Sequence, residues 1–381
     1  MTHAYLDLHI LQTVPPANLN RDDTGSPKTA VYGGARRARV SSQAWKRATR
    51  LAFADLLPPT ELSSRTRRTV GLLAGRLQAA EPTLSTAAAQ ALAADAFRAL
   101  GLNTATKKGE VTEQGQYLLF VGHDHLDEIV RRLQAALPGL PAGKDRAKAL
   151  EALGLRAVLA GAQPADIALF GRMVADVKEL NVDAACQVAH ALSTHAVDTE
   201  FDYYTAVDDE NLDDSGAGMI GTVEFASATL YRYAAVDLPR LAGNVGGDLG
   251  HTAEVARAFV EGFVRSMPAG KQTTFGHRTL PDLVWLAVRD DQPINLVGAF
   301  ETPVAATGRG YVADSAAALA ERAAALHALY GAPRAGMLSC LPDVATATAS
   351  LGRSVPLTDA VRAAVTAGTD LLAGADRLVP A

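Results

Sequence analysis

Four groups of residues in this 381-residue chain have types and spacings that suggest chemistry. His123, Asp124, His125, Asp127 and Glu128 approach the H-x-H-x-D-H spacing. In that pattern clustered imidazoles and carboxylates hold two metal ions that activate water. Glu128 stands where the last histidine should be, and no distant ligand set accompanies it. The preferred reading is a polar helix start, with acids in the first turn favoured by the helix dipole. A metal-dependent hydrolase centred on His123 to Glu128 is the alternative. Asp22-Asp23 and Asp208-Asp209 are the second group, a pair of carboxylate pairs. Beside Arg21, Asp22-Asp23 suits ion pairs or turn hydrogen bonds better than a metal. Third, residues 216–221 spell G-x-G-x-x-G. A dinucleotide site needs a strand before that motif and a helix after it. Here an acidic loop precedes and a strand-like run follows, so flexible glycines are the better reading. No Walker motif, nucleophile elbow or zinc-ligand pair is present. The expectation is therefore a protein without catalytic residues, metal or cofactor.

The fourth group is basic. Between Arg21 and Arg50 stand Lys28, Arg36, Arg37, Arg39, Lys46 and Arg47, opposed only by Asp22 and Asp23. That segment carries a local +6, while the chain as a whole carries -5 and the remainder therefore -11. A negative total argues against nucleic acid, but such asymmetry suggests one phosphate-binding surface on an acidic body. On a helix, Gln43, Lys46, Arg47 and Arg50 share one face at spacings of three and four. Ala44, Ala48, Leu51, Ala52 and Asp55 lie toward the other side. Ser41 or Ser42 caps this helix or donates a hydroxyl to a phosphate oxygen. The free amides of the helix start already attract an anion, and the cations extend that site into a short track.

The elements that must position these residues follow from periodicity. Residues 4–14 alternate, with Leu6, Leu8 and Ile10 opposite Asp7 and His9, and predict a strand. A polar loop reaches Gly34, residues 35–40 predict a basic strand, and 43–56 a helix closed by Pro58-Pro59. From 59 to about 180 the composition predicts alanine-rich helices. Another helix is expected over 183–195 and an acidic loop over 198–221. Strands are predicted at 222–233, 283–288 and 336–341, and helices at 250–267, 315–330 and 358–372. Strands scattered among helices without a regular βαβ repeat give an α+β class. Cys186 and Cys340 are too few for a disulfide framework. The start of the chain lacks a signal-peptide pattern and no apolar run of about 20 residues occurs, so a cytoplasmic protein is expected.

Several motifs carry a resemblance. Asn20-Arg21-Asp22-Asp23, then Gly33-Gly34-Ala35-Arg36-Arg37-Ala38-Arg39-Val40-Ser41-Ser42-Gln43 and Lys46-Arg47, resemble the N-terminal signature of the CasC family. That family supplies the backbone subunit of the type I-E CRISPR surveillance complex, Cascade. In the same order follow Asp166-Ile167-Ala168-Leu169 with Gly171-Arg172-Met173, Ala189-His190-Ala191 with Thr194-His195, and Thr205-Ala206-Val207-Asp208-Asp209. Tyr231-Arg232-Tyr233-Ala234 and Lys271-Gln272 complete the set. The resemblance is strongest over 18–50 and 166–234.

It implies an RRM-like (ferredoxin-like) palm formed by residues 1–58, 181–195 and 225–381. Residues 59–180 would be helical fingers and 196–224 a hairpin-like thumb. It implies a non-catalytic, RAMP-type subunit that binds CRISPR guide RNA and stacks head to tail with further copies of itself. Other Cascade subunits and the target DNA strand paired to the guide would be its remaining partners. By position, the guide contacts fall on Lys28, Ser41, Gln43, Lys46, Arg47, Arg172, Met173 and Lys271, with Arg50 at another basic position of the family. Arg21 and Gln272, beside them, are further candidate RNA contacts. Met219 and Ile220 are candidate tips that wedge against a base step. Related type III backbone subunits cut RNA with a loop aspartate, but the type I-E branch implies no such activity. A guide of any sequence must be held by phosphate and sugar, leaving its bases free to pair.

Overall fold

The computed structural model describes residues 3–106, 112–206 and 219–374. It divides into two compact units. The first comprises residues 1–52, 187–238 and 256–381, the second 53–186 and 239–255.

The first unit is built on an antiparallel sheet in which β1, Tyr5–Ala17, is an interior strand. Its order runs Ala335–Cys340, Leu283–Arg289, β1, Met219–Asp237, Ala191–Ser193, β3 (Ala35–Val40) and β2 (Thr29–Tyr32). Two further strands, Cys186–Val188 and Glu200–Ala206, also pair with Met219–Asp237. That long strand pairs with β1 from Ala226 to Asp237, and its first residues pair with Glu200–Ala206. A two-stranded ribbon thus continues beyond the β1 pairing.

β1 was expected to show one polar face, yet Leu6, Asp7, Leu8, His9, Ile10 and Leu11 are all at most 1% exposed. The reason is a layer on each side. One face packs Leu11, Tyr231, Tyr233 and Trp285 against Leu319, Ala320 and Ala323 of the helix Val312–Tyr330. On the other lie Gln12 and Arg232, whose guanidinium donates to the carbonyl of Phe263. Asp7 and His9 are accommodated by partners. Asp7 accepts from the Tyr233 hydroxyl and from the Ile294 amide, both at 2.9 Å, and His9 Nδ1 lies 2.9 Å from the Tyr231 hydroxyl. Burial still pushes the Asp7 carboxyl up to about 7 and the His9 imidazole down to about 3.

Most elements stand where periodicity puts them, including Leu283–Arg289, Ala335–Cys340, Val312–Tyr330 and Leu357–Leu372. The helix expected over 183–195 is corrected: Cys186–Val188 and Ala191–Ser193 are strands. Sheet pairing overrides the weak helical pattern there, since Leu192 pairs with both Tyr231 and Arg39.

The second unit is mainly helical, as composition indicates. Thr69–Ala80, Thr86–Ala99 and His123–Ala136 pack Leu73, Leu77, Phe97, Leu126, Ile129 and Leu133 into one core. Leu126, Ile129, Val130 and Leu133 recur at the three-to-four spacing of a helix with one buried stripe. Ser85 caps Thr86–Ala99 by accepting from the Ala88 amide. Ser63–Thr66 and Leu119–Gly122 pair as a short ribbon. Among the described residues no helix is long and apolar enough to cross a membrane.

Candidate nucleic-acid interface

β3 leads directly into the basic helix α1, Ser42–Ala52. Ser41 is its cap: the hydroxyl accepts from the Ala44 amide at 3.3 Å, while the Ser41 amide donates to Asn20 Oδ1 at 2.9 Å. Ser41 is buried, so of its two expected roles the structure displays the cap. The buried face of α1 consists of Trp45 and Thr49, whereas Leu51, expected on the apolar side, is 53% exposed. Beneath Trp45, the Arg232 guanidinium sits 3.7 Å from the ring centroid and also lies over Phe263. Fixing Trp45 turns Gln43 and Arg47 to solvent and leaves Lys46 and Arg50 half-buried at the rim. Among the described residues no carboxylate pairs with Lys46 or Arg47, so their charge is available to a ligand.

The neighbouring cations divide in a way that sequence does not reveal. Arg36 is exposed, but Arg37 is fully buried. Arg37 donates to the carbonyls of Tyr32, Ser193, Phe300 and Glu301, which makes it an internal strut. Arg39 reaches the Thr29 carbonyl and His190. Asp22 organises the preceding loop by accepting from the Thr24 and Ser26 amides and the Thr24 hydroxyl. Those donors hold its carboxyl below the usual range. It is therefore a turn former, as one of its sequence readings had it. Arg21 is exposed at that loop, and the Lys28 amide closes it on the Asn20 carbonyl.

A second loop meets the first. Gly270 lies so close to Asn18 and Leu19 that an added Cβ would fall 2.4 Å from the Leu19 carbonyl oxygen. Only glycine permits that approach, and it brings the loop that carries Lys271 and Gln272 against Asn18 and Leu19. Lys271 is the one described non-glycine residue with positive φ, at 55°. Thr279 anchors the far end of this loop by donating to the Thr13 carbonyl and accepting from Gln12. The loops that carry Arg21 and Lys28, and Lys271 and Gln272, thus both adjoin the segment that follows β1, and α1 follows from β3 in the same unit.

Arg172 and Met173 belong to the second unit and part company there. The Arg172 guanidinium is buried, donating to the Leu180 and Leu159 carbonyls at 2.7 Å each. Desolvation brings it down to about 10. Its side chain ties that loop together, while Met173 is 84% exposed. Gly171 before them, at φ 78°, lies against Val182 and Ala184.

The ribbon Glu200–Ala206 with residues 219–225 presents Phe201 and Tyr203, 62% and 75% exposed. The side chains of Met219 and Ile220, and residues 207–218, lie outside the described residues.

The alternative site reads differently. Asp127 pairs with Arg76, and Glu128 with Arg131 and Arg132. His123 lies between Ser64 and the Pro59 carbonyl, and His125 meets the Ala162 carbonyl. Among the described residues no three of His, Cys, Asp or Glu converge to hold a metal ion.

Residues that the motifs did not single out for binding, but that shape this surface, are Trp45, Arg37, Gln12 and His190. Of these, Arg37 and His190 had a signal in the sequence, as members of quoted motifs.

A model of the CT1975-like protein family matches residues 6–363. Two solved structures contain similar chains. One, a "CRISPR RNA-guided surveillance complex, pre-nicking", has a chain 32% identical with a TM-score of 0.81, covering 96% of this chain and 100% of that one. The other, a "CRISPR RNA-guided surveillance complex", has a chain 29% identical with a TM-score of 0.73, covering 95% and 99%. No curated protein matches the chain. These similarities agree with the CasC-like motifs, and with residues 6–363 matched the chain belongs to the CT1975-like protein family.

Proposed function

We propose that the chain is a non-catalytic subunit that binds CRISPR guide RNA by its backbone and polymerises along it. It thereby forms the spine of an RNA-guided, DNA-targeting complex in the cytoplasm. The observation that carries the reading is the outward face of α1. Gln43, Lys46 and Arg47 stand there after a capped helix start, with no carboxylate among the described residues paired to either cation, in a chain of a CRISPR-complex family. Lys28, Arg21, Lys271 and Gln272 extend the track. Arg50 lies on the same helix, and Met173 contributes an exposed apolar contact. In this reading Ser41 and Arg172 act by shaping backbone rather than through free side chains.

The antiparallel sheet around β1 serves as the RRM-like palm and the helical second unit as fingers. The ribbon ending near Ala206 and Met219 serves as the thumb, with Met219 or Ile220 meeting the guide held by the next copy. Head-to-tail contacts that do not close produce a filament. The guide's bases stay free for the target strand, and other Cascade subunits cap the ends.

Co-expression with a CRISPR transcript tests this. Purified protein should elute as a large assembly whose 260/280 nm absorbance ratio is that of a nucleoprotein. A nucleic-acid-free monomer carrying stoichiometric metal would reverse the choice in favour of the His123–Glu128 hydrolase.

A further inference from the structure

The second unit has a basic run of its own, Arg65-Thr66-Arg67-Arg68, which the guide track does not use. Other arginines of that unit are spent on carboxylates: Arg76 on Asp127, Arg98 and Arg146 on Asp95, and Arg131 and Arg132 on Glu128. Among the described residues no carboxylate lies within ion-pair distance of Arg65, Arg67 or Arg68. Local contacts hold the run in place. Arg65 stands on Ser63–Thr66 directly opposite Phe120 of Leu119–Gly122, with its guanidinium carbon over the ring and 5.6 Å from the centroid. Arg67 Nε donates to the Gly115 carbonyl at 3.1 Å. Arg68 is exposed just before the helix Thr69–Ala80. Arg65 is exposed as well, and Phe120 beneath it is half-buried. Three cations within four residues thus keep their charge, and one of them is held against an aromatic ring.

We propose that Arg65, Arg67 and Arg68 form a surface for a single strand of DNA, held by its phosphates with an unpaired base stacked on Arg65. The source of that strand rests on the guide-RNA reading above: pairing one DNA strand with the guide leaves the other single, and it needs a cationic surface of its own. Charge decides the class of partner. Unpaired cations of one sign repel a basic partner and gain most from a polyanion, whose condensed counterions are released on contact. The ring decides between one strand and two. A guanidinium steadied by an aromatic ring offers a planar, charged face on which an unpaired base stacks. A base inside a duplex is already stacked on its neighbours and gains nothing there. Phosphate contacts and stacking are both indifferent to sequence, as a strand of any sequence requires.

Protein co-expressed with a CRISPR transcript is purified as its guide-loaded assembly. Labelled single-stranded DNA and a duplex of equal length, neither complementary to the guide, are then titrated by anisotropy across a salt series. Wild type is compared with Arg65→Gln/Arg68→Gln and with Arg65→Lys. Both positions are exposed, so unchanged thermal midpoints check that the variants fold. The double variant should bind the single strand at least roughly tenfold more weakly, since hydrogen bonds to charged groups are lost. Its salt slope should flatten by roughly 1.4, the signature of two lost phosphate contacts on a single strand. Its guide content, read as the 260/280 nm absorbance ratio, should match wild type. Arg65→Lys keeps the charge and loses the plane, so it should keep the salt slope and lose roughly fivefold toward the single strand, with the duplex unaffected. Unchanged single-strand binding in the double variant would overturn the surface. Loss of guide from the double variant would assign these arginines to the guide track instead. A duplex bound as tightly as the single strand, with Arg65→Lys silent, would make it a duplex surface and overturn the single-strand assignment. Failure of the wild type to take up any guide would defeat the guide-RNA reading, and the same titrations on the guide-free chain would still decide the surface.

Discussion

Two helices of this chain begin with a dense charge cluster, and they use it in opposite ways. At His123–Ala136 the charges are consumed internally: Asp127 by Arg76, Glu128 by Arg131 and Arg132. At α1, Lys46 and Arg47 have no carboxylate partner among the described residues, although acids outnumber bases over the whole chain, 41 to 36. An ion pair at the surface satisfies itself and leaves little field for a ligand. Unpaired cations of one sign on one face sum their potentials and recruit an anion. The distinction between a structural cluster and a binding face is therefore one of partners, not of composition.

The same test separates Arg36 from Arg37, and it gives the largest effect. Replacing Arg37 by methionine leaves four backbone carbonyls without a buried donor, which costs about 3 kcal/mol or more. Arg36→Met should stay within about 0.5 kcal/mol, as exposed substitutions do. Urea unfolding of the two variants decides; equal losses would mean that the burial of Arg37 carries no energetic weight.

Next comes the comparison of the two helices themselves. Lys46→Ala with Arg47→Ala should lower single-stranded RNA affinity by roughly tenfold per side chain, since a hydrogen bond to a charged group contributes about 1.5 kcal/mol. The loss should be the same for every RNA sequence. His123→Ala with Asp127→Ala should change affinity less than about twofold. If the second pair proved as damaging as the first, the contrast between spent and unspent charge would fail.

Smallest when counted per pH unit is the effect of pH on the buried pair on β1. Asp7 moves from 3.8 to about 7 on folding and His9 from 6.5 to about 3. A raised carboxyl makes the folded state bind the extra proton, so its contribution falls as pH rises from about 4 to 7. A lowered imidazole makes the unfolded state bind it, so its contribution is lost as pH falls below about 6.5. Between about pH 4 and 6.5 the two slopes cancel. Asp7→Asn removes one of them, so its stability should gain on wild type by about 1.4 kcal/mol for each pH unit of increase across that window. Denaturant curves at three pH values check this, and parallel slopes for the two proteins would show that Asp7 is ionised in the folded state.

Local pattern carried much of this molecule. A stripe at three-to-four spacing marks Val312–Tyr330 and Leu357–Leu372, and β-branched and aromatic runs mark Leu283–Arg289 and the strand through Tyr231. The cationic face of α1 was legible too, because residues 43, 46, 47 and 50 share a helix face wherever the helix is placed. What pattern leaves open is whether the opposite face is covered. Alternation on β1 marks Asp7 and His9 as outward, yet the helix Val312–Tyr330 and the segment around Leu296 and Phe300 cover that side, and both residues are buried. Four arginines read alike in sequence, but contacts between residues more than a hundred positions apart send Arg37 and Arg232 inward, and Arg39 to His190, while Arg36 stays in solvent. Sequence thus determined which residues lie side by side along each element, through backbone periodicity alone. The tertiary structure decided which charges find a carbonyl or a ring, because that depends on what another part of the chain places opposite them.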